Sequence, residues 1–314
     1  MALEYKGTAR TPGPISIDPE RVGGRIPGPL RFEHIDLSKS ATKATAKTDP
    51  MPPPAGGSDT IITARAVDWN LSGKSPITED VKQGELATCP IGAILAALAH
   101  TASGKLRINN LIKEFVGVPV KTTFSRETLD MIAARKKGDP DYRAQEKEIV
   151  SKRYFTVALD SPQDVSDVFY VKYTDGTDVE MVYMGSPNDV LWPCVIEKAY
   201  AKKIGSYEEL DDDSKHTVEE FWTNLVGSKP QGFAVDKNTD LSKIREAASN
   251  ASRIPTISAS RDDATKVLLH HGFAILGMKG ADVVLLYNPH GKKEQVTLTE
   301  FRDNFQLINF GNPK

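Results

Sequence analysis

The stretch that most constrains this chain is Pro90–Thr101, PIGAILAALAHT. It is rich in Ala and Leu, has no internal breaker beyond Gly92, and reads as a helix that must be buried. Its apolar run, Ile91–Ala99, is far too short to span a bilayer. A chain of 314 residues can bury such a helix in one large domain or in two smaller ones. The C-terminal residues turn to a β pattern, with Phe273-Ala-Ile-Leu276, Val283–Tyr287 and Gln295–Leu298 as strands. A helical half followed by a strand-rich half predicts an α+β fold.

Between these landmarks, residues 105–150 look helical and charged, as in Ser125–Arg135. Phe155–Leu159 and Val168–Tyr173 look like strands, with a turn over Tyr173–Thr177. Trp192–Lys203 reads as a second helix, stopped at Gly205. Residues 1–58 are dominated by Pro, Gly, Ser, Thr and Lys and lack an apolar period, which predicts a disordered tail. The expected division is thus a tail over 1–58, a helical subdomain over 59–227 and a β-rich subdomain over 228–314. Forty basic residues stand against 42 acidic ones, so no strong field favours nucleic acid or an anionic membrane. The N-terminus has no apolar segment of a Sec signal, which makes a cytoplasmic protein, or one exported by another route, the expectation. Such a tail on a compact core also fits an effector delivered by a specialised secretion system.

Two cysteines are present, Cys89 and Cys194. Cys89 precedes Pro90, and proline favours the first helical turn, so Cys89 sits at a helix N-terminus. There the backbone N–H groups and the helix dipole favour the thiolate, the nucleophilic form. A plain buried cysteine is the competing reading. Cys194, beside Val195 and Ile196, reads as core, as do Trp192, Ala199 and Tyr200.

A nucleophilic cysteine needs a base. His100 lies about three helical turns, roughly 16 Å, along the same helix and is out of reach. His34 is in the tail, His216 in an acidic solvated stretch and His290 in a turn, which leaves His270 and His271. The two apolar runs around Met278-Lys-Gly-Ala281 read as a hairpin. With its turn centred on Lys279-Gly280, His271 stands directly opposite Asn288, with Cβ atoms about 5 Å apart, and His270 faces away. The Asn carboxamide can then orient the imidazole. A structural His–Asn pair, or a slipped register, is the alternative.

Cys, then His, then Asn is the chain order of papain-like proteases. More specifically, Asp80–Cys89 (DVKQGELATC) resembles the calpain nucleophile motif, in which Gln-Gly precedes the cysteine. Asp189–Tyr207 (DVLWPCVIEKAYAKKIGSY) is similar to a calpain helix. His270–Ile275, Tyr287-Asn-Pro-His-Gly291 and Thr299–Phe305 resemble the calpain histidine strand, its Asn-Pro-Trp-Gly motif and the closing helix of its core. The resemblance spans roughly residues 75–310. It implies a cysteine endopeptidase with a papain-like protease core and a cleft between helical and β subdomains. It also implies Gln83 as a side-chain donor to the oxyanion hole, with the Cys89 backbone N–H as the second.

The chain departs from the family at Ala87-Thr88, where Gly-Asp is usual, and at Pro90 and His290, each in place of Trp. The implied partner is a protein or peptide substrate, with an inhibitor or immunity-type protein as a further expectation. Other acyl transfer on the same triad, such as deamidation or transglutamination, and a non-catalytic binding module are the alternative functions. No cofactor is expected. Calcium is unsupported, since Asp236-Lys-Asn-Thr-Asp240 opens like an EF-hand loop but has Leu241 at the turn position and Ala247 at the twelfth.

Overall fold

The computed structural model describes residues 62–67, 69–71, 75–84, 86–122, 149–173, 179–181, 183–212 and 216–314. All lie in one compact unit, Thr45–Lys314. The expected tail over 1–58, the stretch Ser125–Arg135 and most of the turn at Tyr173–Thr177 lie outside the described residues.

The apolar run folds as α1, Cys89–His100, with Pro90 in its first turn. Every residue from Ile91 to Ala99 is buried, as a helix apolar on all sides requires. A short turn at Thr101 starts α2, Ala102–Leu111. The helical reading of 105–150 fails over 112–122 and 149–150, and residues 123–148 lie outside the described residues. Ile112–Thr122 is a strand, β2, paired antiparallel with β3, Ile149–Val157, which pairs in turn with β4, Gln163–Ser166. Val116, Val118 and Val120, spaced by two, favour the strand, and Gly117 and Pro119 are poor in a helix interior. The pairing register shifts between Val116 and Val120, where Pro119 cannot donate to a ladder.

A second three-stranded sheet joins β1, Ile62–Ala66, to β5, Val168–Tyr173, and β6, Val179–Met181. The segment expected to be a helical subdomain therefore carries two antiparallel sheets beside its helices. Those helices continue with α3, Trp192–Ile204, α4, Tyr207–Asp211, and α5, Val218–Val226. Gly205 ends α3 at φ 124°, a conformation that glycine adopts without a Cβ penalty.

The C-terminal residues form a six-stranded antiparallel sheet in the order β11-β10-β9-β8-β12-β7. Its strands are β7, Gln231–Ala234; β8, Thr256–Ser260; β9, Gly272–Lys279; β10, Val283–Asn288; β11, Lys292–Thr297; and β12, Phe305–Phe310. Two helices are interleaved, α6 at Leu241–Asn250 and α7 at Leu298–Asn304. Leu298, expected to end a strand, instead opens α7. Alternate residues of this sheet enter different cores. Ala274, Tyr287 and Ile257 join the core built around α1, whereas Phe273, Ile275, Leu286 and Ile308 join one with Ile244 of α6 and Phe301 of α7. The fold is α+β.

Candidate active site

Two close approaches bring α1 against the sheet. A Cβ placed on Gly272 would lie 3.0 Å from the Cys89 carbonyl oxygen, and one on Gly92 would lie 2.8 Å from Cβ of Pro289. The first seam is with the start of β9 and the second with the turn after β10. Cys89 at the head of α1 therefore meets the strand end that carries His271 and Asn288. Its sulfur lies 3.9 Å from the His270 carbonyl oxygen. Cys89, His271 and Gly272 line one cavity of ≈220 Å³, together with Phe221, Ile257 and Leu307.

The β9–β10 hairpin does not have the register expected from Lys279-Gly280. Val283, Val284 and Leu285 pair with Lys279, Met278 and Gly277. A one-residue bulge follows, because Leu286 and Tyr287 pair with Ile275 and Ala274. The turn is centred further along, and His271 lies just before β9, diagonal to Asn288 and not directly opposite it. The bulge decides the chemistry. Side chains alternate with a period of two, so an unbroken ladder would put Asn288 on the face away from His271; the extra residue restores parity. That residue is Leu276, whose carbonyl accepts from Nε2 of His100 at 2.7 Å. His100 is thus out of reach of Cys89 along the helix, as expected, but it satisfies the bulge.

His271 Nε2 is 2.9 Å from Asn288 Oδ1. The amide orientation follows from its other neighbours: Nδ2 of Asn288 donates to Glu294 Oε1 at 2.8 Å, and a carboxylate can only accept. Oδ1 also accepts from the His290 backbone N–H at 3.0 Å. An acceptor at Nε2 requires the proton there, which leaves the lone pair of His271 on Nδ1. Burial pushes the His271 pKa down from 6.5 to about 4, partly offset by the Asn288 bond and deepened by His290. The ring is neutral near neutral pH, the state a general base needs. His290 stacks on it, with centroids 5.0 Å apart and planes at 9°. His270 has φ 47°, and its exposed side chain meets Asp262 at 3.2 Å.

Gln83 is buried, and its backbone N–H donates to the Pro289 carbonyl at 2.7 Å. Its Nε2 donates to Leu86 O at 2.6 Å, while Oε1 is buried without a hydrogen-bond partner. The segment before the nucleophile candidate has two further attachments that the sequence reading missed. Asp211 Oδ1 accepts from Ala87 N at 2.6 Å, so Asp211 is not merely a solvated acid. Glu197 Oε1 accepts from Thr88 Oγ1 at 2.6 Å, and Glu197 Oε2 from Met184 N at 2.7 Å. Burial raises the Glu197 carboxyl to about 7, against the pull of those two donors. Glu294 was also missed. Its signal was available, since a tight turn at Asn-Pro-His-Gly sets β11 beside β10 with Glu294 diagonal to Asn288.

Cys194 is fully buried, and burial drives its thiol pKa upward, so it carries no thiolate. Among the described residues no group of three or more His, Cys, Asp or Glu could hold a metal ion, and no helix is long and apolar enough to cross a membrane.

No curated protein matches the chain. The model of the calpain family cysteine proteases matches residues 145–306, just over half of it, including His271 and Asn288 and lying C-terminal to Cys89 and Gln83. The chain belongs to the calpain family and is a cysteine-type peptidase that acts on proteins or peptides.

Proposed function

We propose that this protein is an endopeptidase in which Cys89, His271 and Asn288 act as nucleophile, base and orienting residue in a cleft between the helical and β-rich parts. The observation that carries this reading is the His271–Asn288 bond, which leaves the basic lone pair on Nδ1 of a residue that lines the same cavity as Cys89. The Cys89 proton passes to Nδ1 as sulfur attacks the scissile carbonyl carbon. The oxyanion is met by the Cys89 N–H and by the Gln83 side chain. An amide NH2 has two hydrogens; Leu86 O takes one and holds the plane, and the second serves the oxyanion.

As the C–N bond breaks, Nδ1–H gives its proton to the leaving amine, and a thioester remains on Cys89. Water then attacks the thioester carbon, giving a proton to Nδ1, and the sulfur leaves and takes that proton, which regenerates the thiol and the neutral imidazole. Calcium has no assigned place in these steps. The test is mass spectrometry of a proteome digest with the wild type and with Cys89→Ala. Peptides with new carboxyl termini should appear only with the wild type. Their persistence with folded Cys89→Ala would reject the nucleophile. Products carrying an added amine, or deamidated Gln without cleavage, would replace hydrolysis by another acyl transfer.

A further inference from the structure

Threonine is a preferred residue at the N-terminal boundary of a helix, where its hydroxyl accepts from an N–H of the first turn. Among the described residues, three threonines do so. Thr101, Thr217 and Thr297 have extended backbones, with ψ of 151°, 150° and 159°, and their side chains accept from the N–H groups of Gly104, Glu220 and Glu300. Thr88 occupies the same position before α1 and differs in both respects. Its backbone is at φ −90°, ψ 22°, and its side chain makes no bond to the helix. Its hydroxyl instead donates to Glu197, a carboxylate of α3 that is 1% exposed and fixed on its other oxygen by Met184 N. The φ, ψ pair of Thr88 lies in a sparsely populated bridge region, which persists only where surrounding contacts hold it. The hydroxyl's bond to Glu197 is such a contact.

We propose that Glu197 is a positioning residue for Cys89: by taking the Thr88 hydroxyl it keeps Thr88 out of the extended capping conformation and fixes the direction in which Cys89 leaves the loop. A change of ψ at Thr88 from 22° towards 150° turns the Thr88–Cys89 peptide, and with it both the Cys89 N–H and the path of its side chain. The free energy available for that turn is that of an N-terminal cap, about 1 kcal/mol, or roughly a fivefold to tenfold effect on Cys89 reactivity. The inference rests on the reading of Cys89 as nucleophile, and its test reads the thiol directly.

The test is the rate at which iodoacetamide alkylates Cys89, followed by mass spectrometry of the Cys89 peptide at pH 6 and pH 8, beside kcat, KM and thermal unfolding. Glu197→Ala frees Thr88 to cap Ile91 N–H, and alkylation at pH 6 should slow about tenfold, with kcat falling and KM little changed. Glu197→Met, closer in shape and equally unable to accept, carries the same expectation if Glu197→Ala does not fold. Glu197→Gln should stay within about twofold of wild type, because its Oε1 can accept from Met184 N while its Nε2 donates to Thr88 Oγ1. Adding Thr88→Ala to Glu197→Ala removes the hydroxyl that would cap and should restore most of the lost rate.

Three results would overturn the proposal. Faster alkylation of Glu197→Ala at pH 8 would mean that Glu197 acts only as a nearby negative charge. A Glu197→Gln variant as slow as Glu197→Ala would mean that the rate depends on the acid itself and not on a hydrogen bond to Thr88. A double variant as slow as Glu197→Ala would assign the loss to packing. Full turnover by Cys89→Ala would instead remove the nucleophile reading, and the alkylation rates would still report whether Glu197 positions that thiol.

Discussion

Replacing Gly272 by Ala adds one methyl group at the seam between α1 and β9. The glycine does not occupy the left-handed region, so alanine meets no backbone strain there, and the cost comes from contact alone. The added Cβ would lie 3.0 Å from the Cys89 carbonyl oxygen, 3.2 Å from the Cys89 carbonyl carbon and 3.4 Å from Cβ of Ala93. Two of these neighbours are backbone atoms of Cys89 and cannot rotate away. Relief requires α1 and β9 to part by a few tenths of an ångström. Overpacking of this kind costs about 1–3 kcal/mol, which lowers Tm by about 2–4 °C per kcal/mol for a domain of this size. A 1 Å misplacement of reacting groups costs on the order of 100-fold, so a few tenths scales to roughly three- to tenfold in kcat. Turnover of a quenched-fluorescent casein and thermal unfolding, measured side by side, give both numbers. Unchanged kcat together with unchanged Tm would refute the argument that this contact sets the distance between Cys89 and His271.

His271→Ala should abolish turnover, whereas His270→Ala should retain it, because the exposed His270 side chain meets Asp262 and only its carbonyl faces Cys89; the reverse pattern in two folded variants would exchange their roles. Asn288→Ala should be intermediate, since the base remains but its ring loses the acceptor on Nε2, and wild-type kcat in that variant would discount the bond. Cys194→Ala should keep turnover and lose about 1–2 kcal/mol by denaturant titration, a packing loss in a buried site; loss of turnover in a folded Cys194→Ala would contradict this. The pH dependence of stability carries opposing signs. His271 has a depressed pKa, so the unfolded chain binds the extra proton and stability rises with pH from about 4 to 6.5, by about 3 kcal/mol. Glu197 has a raised pKa, so the folded chain holds the extra proton and stability falls by about 3 kcal/mol from pH 4.5 to about 7. Urea unfolding between pH 4.5 and 6.5 should therefore show a steeper rise with pH in Glu197→Gln than in the wild type; equal slopes would mean that Glu197 titrates as an exposed carboxyl does.

The error over 112–122 has a local cause. Lys113, Glu114 and Lys121 suit a charged helix surface, but Val116, Val118 and Val120 alternate, and the strand finds its partner in β3 some thirty residues on. Nothing within the segment names that partner. The hairpin is more instructive. Its two strands and their apolar alternation were legible, and so were the residues His271 and Asn288. The predicted register placed them opposite each other from a turn that the chain does not use. They meet through a bulge at Leu276, whose carbonyl is satisfied by His100 on α1, far away in sequence.

By itself the sequence determined the elements whose signals are local. These were the buried helix behind Cys89-Pro90, the glycine stop after α3, the β-rich C-terminal part and the choice of residue types that a cysteine peptidase requires. Such signals lie within a few residues of where they act, because helix propensity, capping and strand alternation are short-range. Only the tertiary structure decided which faces meet. It spent the Thr88 hydroxyl on Glu197, turned the Asn288 amide with Glu294, placed His290 over His271 and tied Ala87 to Asp211. Each of these joins residues from different elements or across a turn, and the parity of a strand or the rotation of one peptide is enough to reverse them.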